Sequence, residues 1–498
     1  MTYALLVSVF VIASCGLIYE LIASTLASYL LGDSVLQFST VIGTYLFAMG
    51  IGSFLSRYLV RSLVAWFVQV ELLVGLVGGF SAAVLFLAFS YGASFRPMLY
   101  LLVLLVGTLV GLEIPLLLRI LRDRLEFRDL VAQVLTLDYI GALAASLAFP
   151  LILVPKVGLI RSALLFGLLN AAVALWSTWL FKSGIERVGA LRTQCVLAVV
   201  LLAAGVAGAG KINDFAEGAM YADDVILARS SPYQRIVLTR WRDDIRLFLN
   251  NHLQFSSRDE YRYHEALVHP GLASIPVPRR VLVLGGGDGL AVREILRYPS
   301  VEQVLLVDLD PEMTRLSRHH DTFLELNGGS MLSPKVTVVN QDAFQWLESN
   351  REFFDFIVVD LPDPSNYSLG KLYTNLFYKR VEGALSRQGV LAVQCTSPLF
   401  ARQSYWCIAE TIRSTGLQVR PYHLYVPSFG EWGFVLASTN AYSLPETLPQ
   451  GLRFLDKVGL ASMFQFPIDM GPVSAQVNRL NNQVLVHTYD TEWHKVIP

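Results

Sequence analysis

The sequence predicts a multi-pass α-helical membrane domain, a small antiparallel β domain and a doubly wound α/β domain, in that order. Three observations predict it. Residues 1–210 are apolar runs separated by short polar breaks, residues 211–275 hold short alternating runs, and from 276 onward strands alternate with helices behind a glycine-rich loop. The α/β domain extends to about 440, and 441–498 is a Pro-punctuated C-terminal extension.

The membrane domain follows from composition and run length. Hydrophobic residues make up 54% of the 498-residue chain and charged residues only 16%. Soluble domains carry about 25% charge, so part of this chain belongs in lipid. A spanning helix needs about 20 mostly apolar residues, and seven runs qualify, at about 4–30, 38–56, 63–92, 97–118, 131–154, 159–181 and 193–210. The first is too long for a cleaved signal peptide. Gly43, Gly50 and Gly52 suit close helix packing in lipid.

Arg57 and Arg61 share one loop; Arg119, Arg122, Arg124 and Arg128 lie two loops later, and Lys182, Arg187 and Arg192 two loops after that. The intervening loops hold only Arg96, then Lys156 and Arg161. The Arg-rich side is expected to be cytoplasmic, with the N-terminus inside. Seven spans then put the C-terminal half outside, whereas a count different by one would put it inside, so the side stays open. Glu20, Glu71, Glu113 and Asp138 fall within apolar runs. Acids there either mark a pathway or sit near span ends bonded to neighbouring helices.

The composition shifts near Lys211. Runs such as Arg235–Thr239 and Ile245–Leu249, broken by Asp243-Asp244 and Asn250-Asn251, predict the small antiparallel sheet. Arg258–Leu272 reads as a helix. Arg280–Leu284 is a buried strand leading into Gly285-Gly286-Gly287-Asp288-Gly289 and a helix. Val304–Val307 ends at Asp308, Val336–Val339 leads to Asp342 and Phe356–Val359 ends at Asp360; Val390–Gln394 and Phe434–Ala437 complete the set. The pattern is Rossmann-like, of the methyltransferase type, with a parallel sheet.

Ligands of open α/β sheets bind outside the carboxyl ends of the strands, where these acids collect. The glycine loop lets backbone approach a ligand, but its Gly-x-Gly-x-Gly spacing is not the dinucleotide form. Asp308, twenty residues past Asp288, stands where an acid takes ribose hydroxyls, which suits an S-adenosyl compound as well as a dinucleotide. Asp288 lies in the loop facing a donor's amino-acid end. It repels a carboxylate and attracts an ammonium, favouring a donor that has lost its carboxyl group and kept its amine. Asp342, followed by Ala343, is placed to accept from an adenine amino group. Each alone reads equally as a loop acid or a helix cap.

The prolines of Asp360-Leu361-Pro362-Asp363-Pro364 restrict the loop after the fourth strand and hold two carboxylates at the cleft. Such acids attract a protonated diamine, whose attacking nitrogen must lose a proton before acting as nucleophile. Asp360 is the candidate acceptor of that proton, and Tyr263 the candidate to hydrogen bond the amine. Displacement beside a sulfonium expels a neutral thioether, so the reaction asks for positioning and desolvation, with no metal or other cofactor.

At these residues the chain resembles the spermidine synthase (polyamine aminopropyltransferase) family. The matching stretches are Tyr233-Gln234, Gln254, Asp259 to Glu265, Leu284 to Arg293, Val307-Asp308, Gln341-Asp342-Ala343, Asp360-x-x-Asp363-Pro364 and Leu372-Tyr373. The resemblance implies that Asp360 is the catalytic acceptor with Tyr263 beside it. It implies that decarboxylated S-adenosylmethionine, a co-substrate, is bound by Gln234, Gly285, Gly287, Asp288, Asp308, Asp342 and Ala343. The diamine, putrescine by default, would meet His264, Gln254, Asp288 and Asp363; the products would be spermidine and methylthioadenosine. The family is commonly oligomeric, and the membrane half resembles its membrane-fused bacterial subgroup, which implies a multi-pass cell-membrane protein. A catalytic half outside the membrane conflicts with a donor made in the cytosol. Family members commonly carry a late-loop tyrosine touching the diamine; here Val426 to Trp432 offers Phe429, which lacks the hydroxyl.

Other chemistry is disfavoured. His264, His269, His319 and His320 make no metal-ligand pattern, and Ser397 and Cys395 have no base at suggestive spacing. Cys15, Cys195, Cys395 and Cys407 are too scattered for a disulfide framework, and a net charge of -1 gives nucleic acid no purchase. Trp346, Trp406 and Trp432 read as core or pocket wall. Two alternatives remain. One is a methyltransferase using intact S-adenosylmethionine; the other is a membrane polyamine transporter or sensor whose soluble half only binds.

Overall fold

The computed structural model describes residues 2–31, 34–91, 95–122, 126–182, 185 and 187–495; Arg124 lies outside them. The chain divides into two compact units, Met1–Val225 and Ile226–Pro498.

The first unit holds α1 (Thr2–Leu31), α2 (Ser34–Leu55), α3 (Leu63–Ser90), α4 (Phe95–Leu121), α5 (Phe127–Ala148), α6 (Leu159–Leu180) and α7 (Val188–Met220). Seven helices among the described residues are long and apolar enough to cross a membrane. Their outward faces carry apolar side chains, with Phe47 66% and Leu101 61% exposed, as lipid-facing positions require. α5 widens into a π-helical stretch over Phe149–Val157. Pro150 and Pro155 withhold backbone donors there and break the regular ladder.

α3 packs on α6, α2 on α4 and α1 on α5. Glycine sets the closest approaches: a Cβ on Gly52 would stand 2.0 Å from the Thr108 carbonyl oxygen, and one on Gly111 would stand 2.1 Å from that of Met49. The expectation for Gly43 and Gly50 is not met, because a Cβ at either would meet nothing within 4 Å. Small residues matter only on the helix face that touches a neighbour.

The second unit opens with a four-stranded sheet of β1 (Asp224–Ser230), β2 (Arg235–Trp241), β3 (Asp244–Leu249) and β4 (His252–Ser256), ordered β1-β2-β3-β4. α8 (Glu260–Leu272) follows. The larger sheet contains β5 (Arg280–Gly285), β6 (Gln303–Asp308), β7 (Val336–Asn340), β8 (Phe354–Asp360), β9 (Leu385–Cys395), β10 (Gln418–Val426) and β11 (Gly430–Ser438), in the order β10-β11-β9-β8-β5-β6-β7. Between the strands run α9 (Leu290–Ile295), α10 (Pro311–His319), α11 (Asp321–Asn327), α12 (Ala343–Ser349), α13 (Tyr367–Gly370), α14 (Asn375–Gly383) and α15 (Arg402–Arg413). Alternate residues of the central strands feed two cores. Leu282, Leu284, Ile357 and Val359 lie in one, and Val281, Val283, Phe356 and Val358 in the other. Burial on both faces is the mark of a covered parallel sheet.

The sheet is mixed, which corrects the all-parallel expectation. β5 through β9 run parallel, but β11 pairs antiparallel with β9 and β10 antiparallel with β11. The short Val426-to-Gly430 connection closes a hairpin, and no parallel crossover fits so few residues.

The C-terminal extension folds against this unit and carries α16 (Lys457–Ser462) and α17 (Val484–Trp493). The Glu265 carboxylate accepts from the backbone amides of Arg453, Phe454 and Leu455 at 2.7, 2.9 and 2.9 Å. Glu492 accepts from the Gln403 and Ser404 amides at the start of α15, at 2.8 and 2.9 Å.

Candidate active site

β5 lies between β6 and β8, so chain direction across the sheet reverses beside it and a crevice opens at the strand ends. The glycine loop fills that point. Gly285, Gly286 and Gly289 take positive φ values of 83°, 61° and 83°, conformations that cost a side-chain-bearing residue free energy. A Cβ on Gly286 would stand 3.2 Å from Asp360 Oδ2, and one on Gly287 would stand 2.6 Å from Asp308 Oδ2. The loop therefore lies against both acids. Ser317 Oγ donates to the Gly287 carbonyl at 2.6 Å and Asn327 Nδ2 to the Asp288 carbonyl at 3.0 Å, pinning it.

Asp288 Oδ1 accepts from the Leu290 amide at 2.9 Å, just before α9. Burial pushes this carboxyl up, against the pull of His264 and the Leu290 amide. Burial also lifts Asp308 to about 7; the amides of Asp310 and Gly287 pull it down, and the charges of Asp310 and Asp288 push it up. Asp360 is raised by burial to about 6, with His264 and the Tyr263 hydrogen bond opposing and Asp288 reinforcing. Asp288, Asp308 and Asp360 thus share one partly buried, carboxyl-lined rim. Like charges crowded there favour a cationic ligand.

Tyr263 projects from α8 and its hydroxyl donates to Asp360 Oδ1 at 2.7 Å. Its ring meets Phe434 edge-on with centroids 5.1 Å apart. The neighbouring His264 bonds Glu260 Oε2 through Nδ1 at 2.8 Å, and Arg293 clamps the same carboxylate at 3.0 and 2.9 Å. Burial lowers His264, but the Glu260 bond and the charges of Glu260, Asp288 and Asp360 outweigh it and leave the ring raised. Those charges favour the protonated form of the His264 ring.

Asp363 Oδ2 accepts from the Tyr489 hydroxyl at 2.9 Å, and Oδ1 from Gln394 Nε2 at 3.3 Å. Burial raises its carboxyl, while Tyr489, Gln394 and Thr396 partly offset that. Tyr373 donates to the Leu361 and Pro362 carbonyls at 3.2 and 3.1 Å, fixing the loop between Asp360 and Asp363. Ser428 Oγ, beside Phe429, bonds Asp259 at 2.9 Å, and the Phe429 ring stands 6.2 Å from Tyr263.

Four expected residues are placed less directly. Gln234 Nε2 donates to Asp310 Oδ2 at 2.8 Å, beside Asp308. Asp342 caps α12 through the Phe344 amide at 2.8 Å and pairs with Lys371 Nζ at 2.5 Å, so both oxygens are already engaged; Ala343 opens that helix. Gln254 turns to the carbonyl of His252 at 3.0 Å, and no hydrogen bond joins it to the rim among the described residues. Sequence reasoning gave no role to Glu260, Arg293, Gln394, Tyr373 or Tyr489. Glu260, Arg293 and Tyr373 lie inside matching stretches, but the pairing of Glu260 with Arg293, 33 positions apart, has no local signal. Tyr489 is 126 positions from Asp363 and carries no local signal.

Fold and site define a Rossmann-like transferase whose acid-lined crevice sits at the sheet's switch point. The spermine/spermidine synthase domain model matches residues 260–446. The polyamine aminopropyltransferase of Leptospira interrogans is 53% identical over 497 residues, covering 100% of both chains. Polyamine aminopropyltransferase 2 of Ralstonia nicotianae is 53% identical, covering 99% of this chain and 98% of its own. The Mycobacterium tuberculosis H37Rv protein of that name is 40% identical, over 98% and 96%. A solved spermidine synthase in complex with the transition-state analogue AdoDATO covers 49% of this chain and 86% of its own, at 24% identity and a TM-score of 0.46. The chain belongs to the polyamine aminopropyltransferase family, and it is an aminopropyl-transferring enzyme. The relatives align through the helical unit as well as the α/β unit. Their names over that length set aside the methyltransferase alternative.

Proposed function

We propose that the enzyme moves the aminopropyl group of decarboxylated S-adenosylmethionine to putrescine, yielding spermidine and methylthioadenosine, while the helical unit anchors it in the cell membrane. The observation that carries this reading is the convergence of Asp288, Asp308 and Asp360 on the glycine loop.

Asp308 takes the ribose hydroxyls and Asp288 the donor's ammonium. Gln234 supports the ribose side through Asp310, and the backbone of Gly285 and Gly287 lies against the donor. Asp342 and Ala343 meet adenine, which must share the Asp342 carboxylate with Lys371. Asp363, held by Tyr489 and Gln394, binds the distal ammonium of the diamine. Asp360 accepts a proton from the proximal amine, oriented by Tyr263, and His264 balances the charge of the acids. The freed amine lone pair attacks the carbon beside the sulfonium. The C–S bond breaks, its electron pair stays on sulfur, and a neutral thioether leaves.

The test is product analysis of the full chain in detergent, with the decarboxylated donor and a panel of putrescine, cadaverine, diaminopropane and spermidine. Methylthioadenosine and spermidine with putrescine as preferred acceptor support the reading. Aminopropyl transfer with another acceptor preferred would sink the putrescine assignment and leave the roles of Asp288 and Asp308 standing.

A further inference from the structure

We propose that the helical unit contains a separate binding site for a primary alkylammonium, such as one end of a polyamine, built by Glu71, Glu113, Asn170 and Tyr19. These come from four packed helices: Tyr19 from α1, Glu71 from α3, Glu113 from α4 and Asn170 from α6. All four are buried inside the helical unit. Glu71 and Asn170 are 0% exposed, Glu113 2% and Tyr19 3%.

Asn170 Nδ2 donates to Glu71 Oε2 at 3.3 Å, tying α6 to α3. That bond leaves Asn170 Oδ1 and Glu71 Oε1 without a partner among the described residues, and Glu113 Oε1 and the Tyr19 hydroxyl are likewise unpartnered. The Asn170 bond ties that residue to Glu71, Glu113 lies in the field of Glu71, and the Tyr19 phenol lies in the field of both acids. No lysine or arginine among the described residues offsets either carboxyl. The Tyr19 ring is held in place over Gly78, where an added Cβ would stand 2.7 Å from it.

Buried acids with open oxygens in an apolar bundle are expensive unless a cation completes them. Asn170 Oδ1, Glu71 Oε1 and Glu113 Oε1 are three acceptors, matching the three N–H donors of one primary ammonium. A hard metal ion asks for about six to eight oxygens, more than this set supplies. An alkyl stem, unlike a hydrated metal ion, also suits the apolar helix faces around it.

The test is equilibrium binding of radiolabelled spermidine to the full chain in phospholipid nanodiscs, with folding of each variant checked by gel filtration and circular dichroism. Wild type is expected to bind one more spermidine per chain than Glu71→Gln or Asn170→Ala. Should both variants misfold, Tyr19→Phe removes only a hydroxyl. It is expected to weaken that one equivalent about tenfold, because the phenol can then no longer donate to a carboxylate that holds the ammonium, the worth of one hydrogen bond to a charged group. Equal stoichiometry and affinity in wild type and every folded variant would overturn the proposal. Displacement of that equivalent by sodium chloride at the spermidine concentration would overturn the alkylammonium assignment.

Discussion

The Tyr263 hydroxyl reaches across from α8 to Oδ1 of Asp360, 2.7 Å away and 97 positions along the chain. The bond stabilises the carboxylate that burial would otherwise keep protonated. Asp360 must be ionised to accept a proton, so turnover should fall as pH drops through about 6. Tyr263→Phe removes a stabiliser of the anion, which should move that acid limb to higher pH. Asp360→Asn should lower kcat about 10²–10⁴-fold. Methylthioadenosine release measured across pH checks both; an unmoved acid limb in Tyr263→Phe would break the assignment.

Asp308 should oppose stability at neutral pH. Its folded carboxyl is raised to about 7, against about 3.9 for an unfolded aspartate. Between those values the folded chain holds a proton that the unfolded chain has released. Stability therefore declines as pH rises through this window, and the full penalty stands above it. Asp308→Asn is expected to stabilise by about 1–3 kcal/mol at pH about 8, with the gain fading near pH 5, while donor binding is lost. Melting curves at the two pH values, with donor titration alongside, read it out.

The diamine end of the crevice should depend on the C-terminal helix. Tyr489→Phe removes the 2.9 Å bond to Asp363. An about tenfold rise in diamine KM with kcat within about twofold is expected, because the lost contact acts on binding and not on the reacting nitrogen. A drop confined to kcat would contradict the placement of Asp363 at the distal ammonium.

Glu265→Ala should destabilise the unit Ile226–Pro498 by about 3 kcal/mol or more. It strands three amides, at Arg453, Phe454 and Leu455, that this 1% exposed carboxylate now satisfies. Denaturation with intrinsic fluorescence and proteolysis near residue 453 give the two readouts. Unchanged resistance to both would contradict it.

Gly111→Val should disrupt the α2–α4 crossing, since even a Cβ would stand 2.1 Å from the Met49 carbonyl oxygen. Gly50→Val, with nothing within 4 Å, should be tolerated. Thermal aggregation of the two variants in detergent separates them.

Much of the architecture was legible in local pattern. Apolar runs of spanning length stood out because lipid accepts little else. The strands ending at Asp308 and Asp360 were legible because a doubly covered sheet demands near-continuous apolar runs with acids only at their ends. The antiparallel β10–β11 edge was not: Gln418–Val426 was not read as a strand, since Arg420, Pro421 and His423 interrupt its apolar run, and period-two patterning marks a strand but not its direction. The 57-residue stretch after 441 resisted reading for a related reason: its order comes from Glu265, Thr411 and the α15 amides, all distant in sequence.

By itself the sequence determined the helical and α/β halves, the glycine loop and the identity of the rim acids, since each depends on residues close together in the chain. Only the tertiary structure decided that Gln254 bonds the His252 carbonyl, that Asp342 is shared with Lys371, that Tyr489 bonds Asp363, and that Gly52 packs where Gly50 does not. Those outcomes depend on which distant surfaces meet. A hydrogen bond or a steric contact exists only at short range, and one chain position does not encode what will stand opposite it.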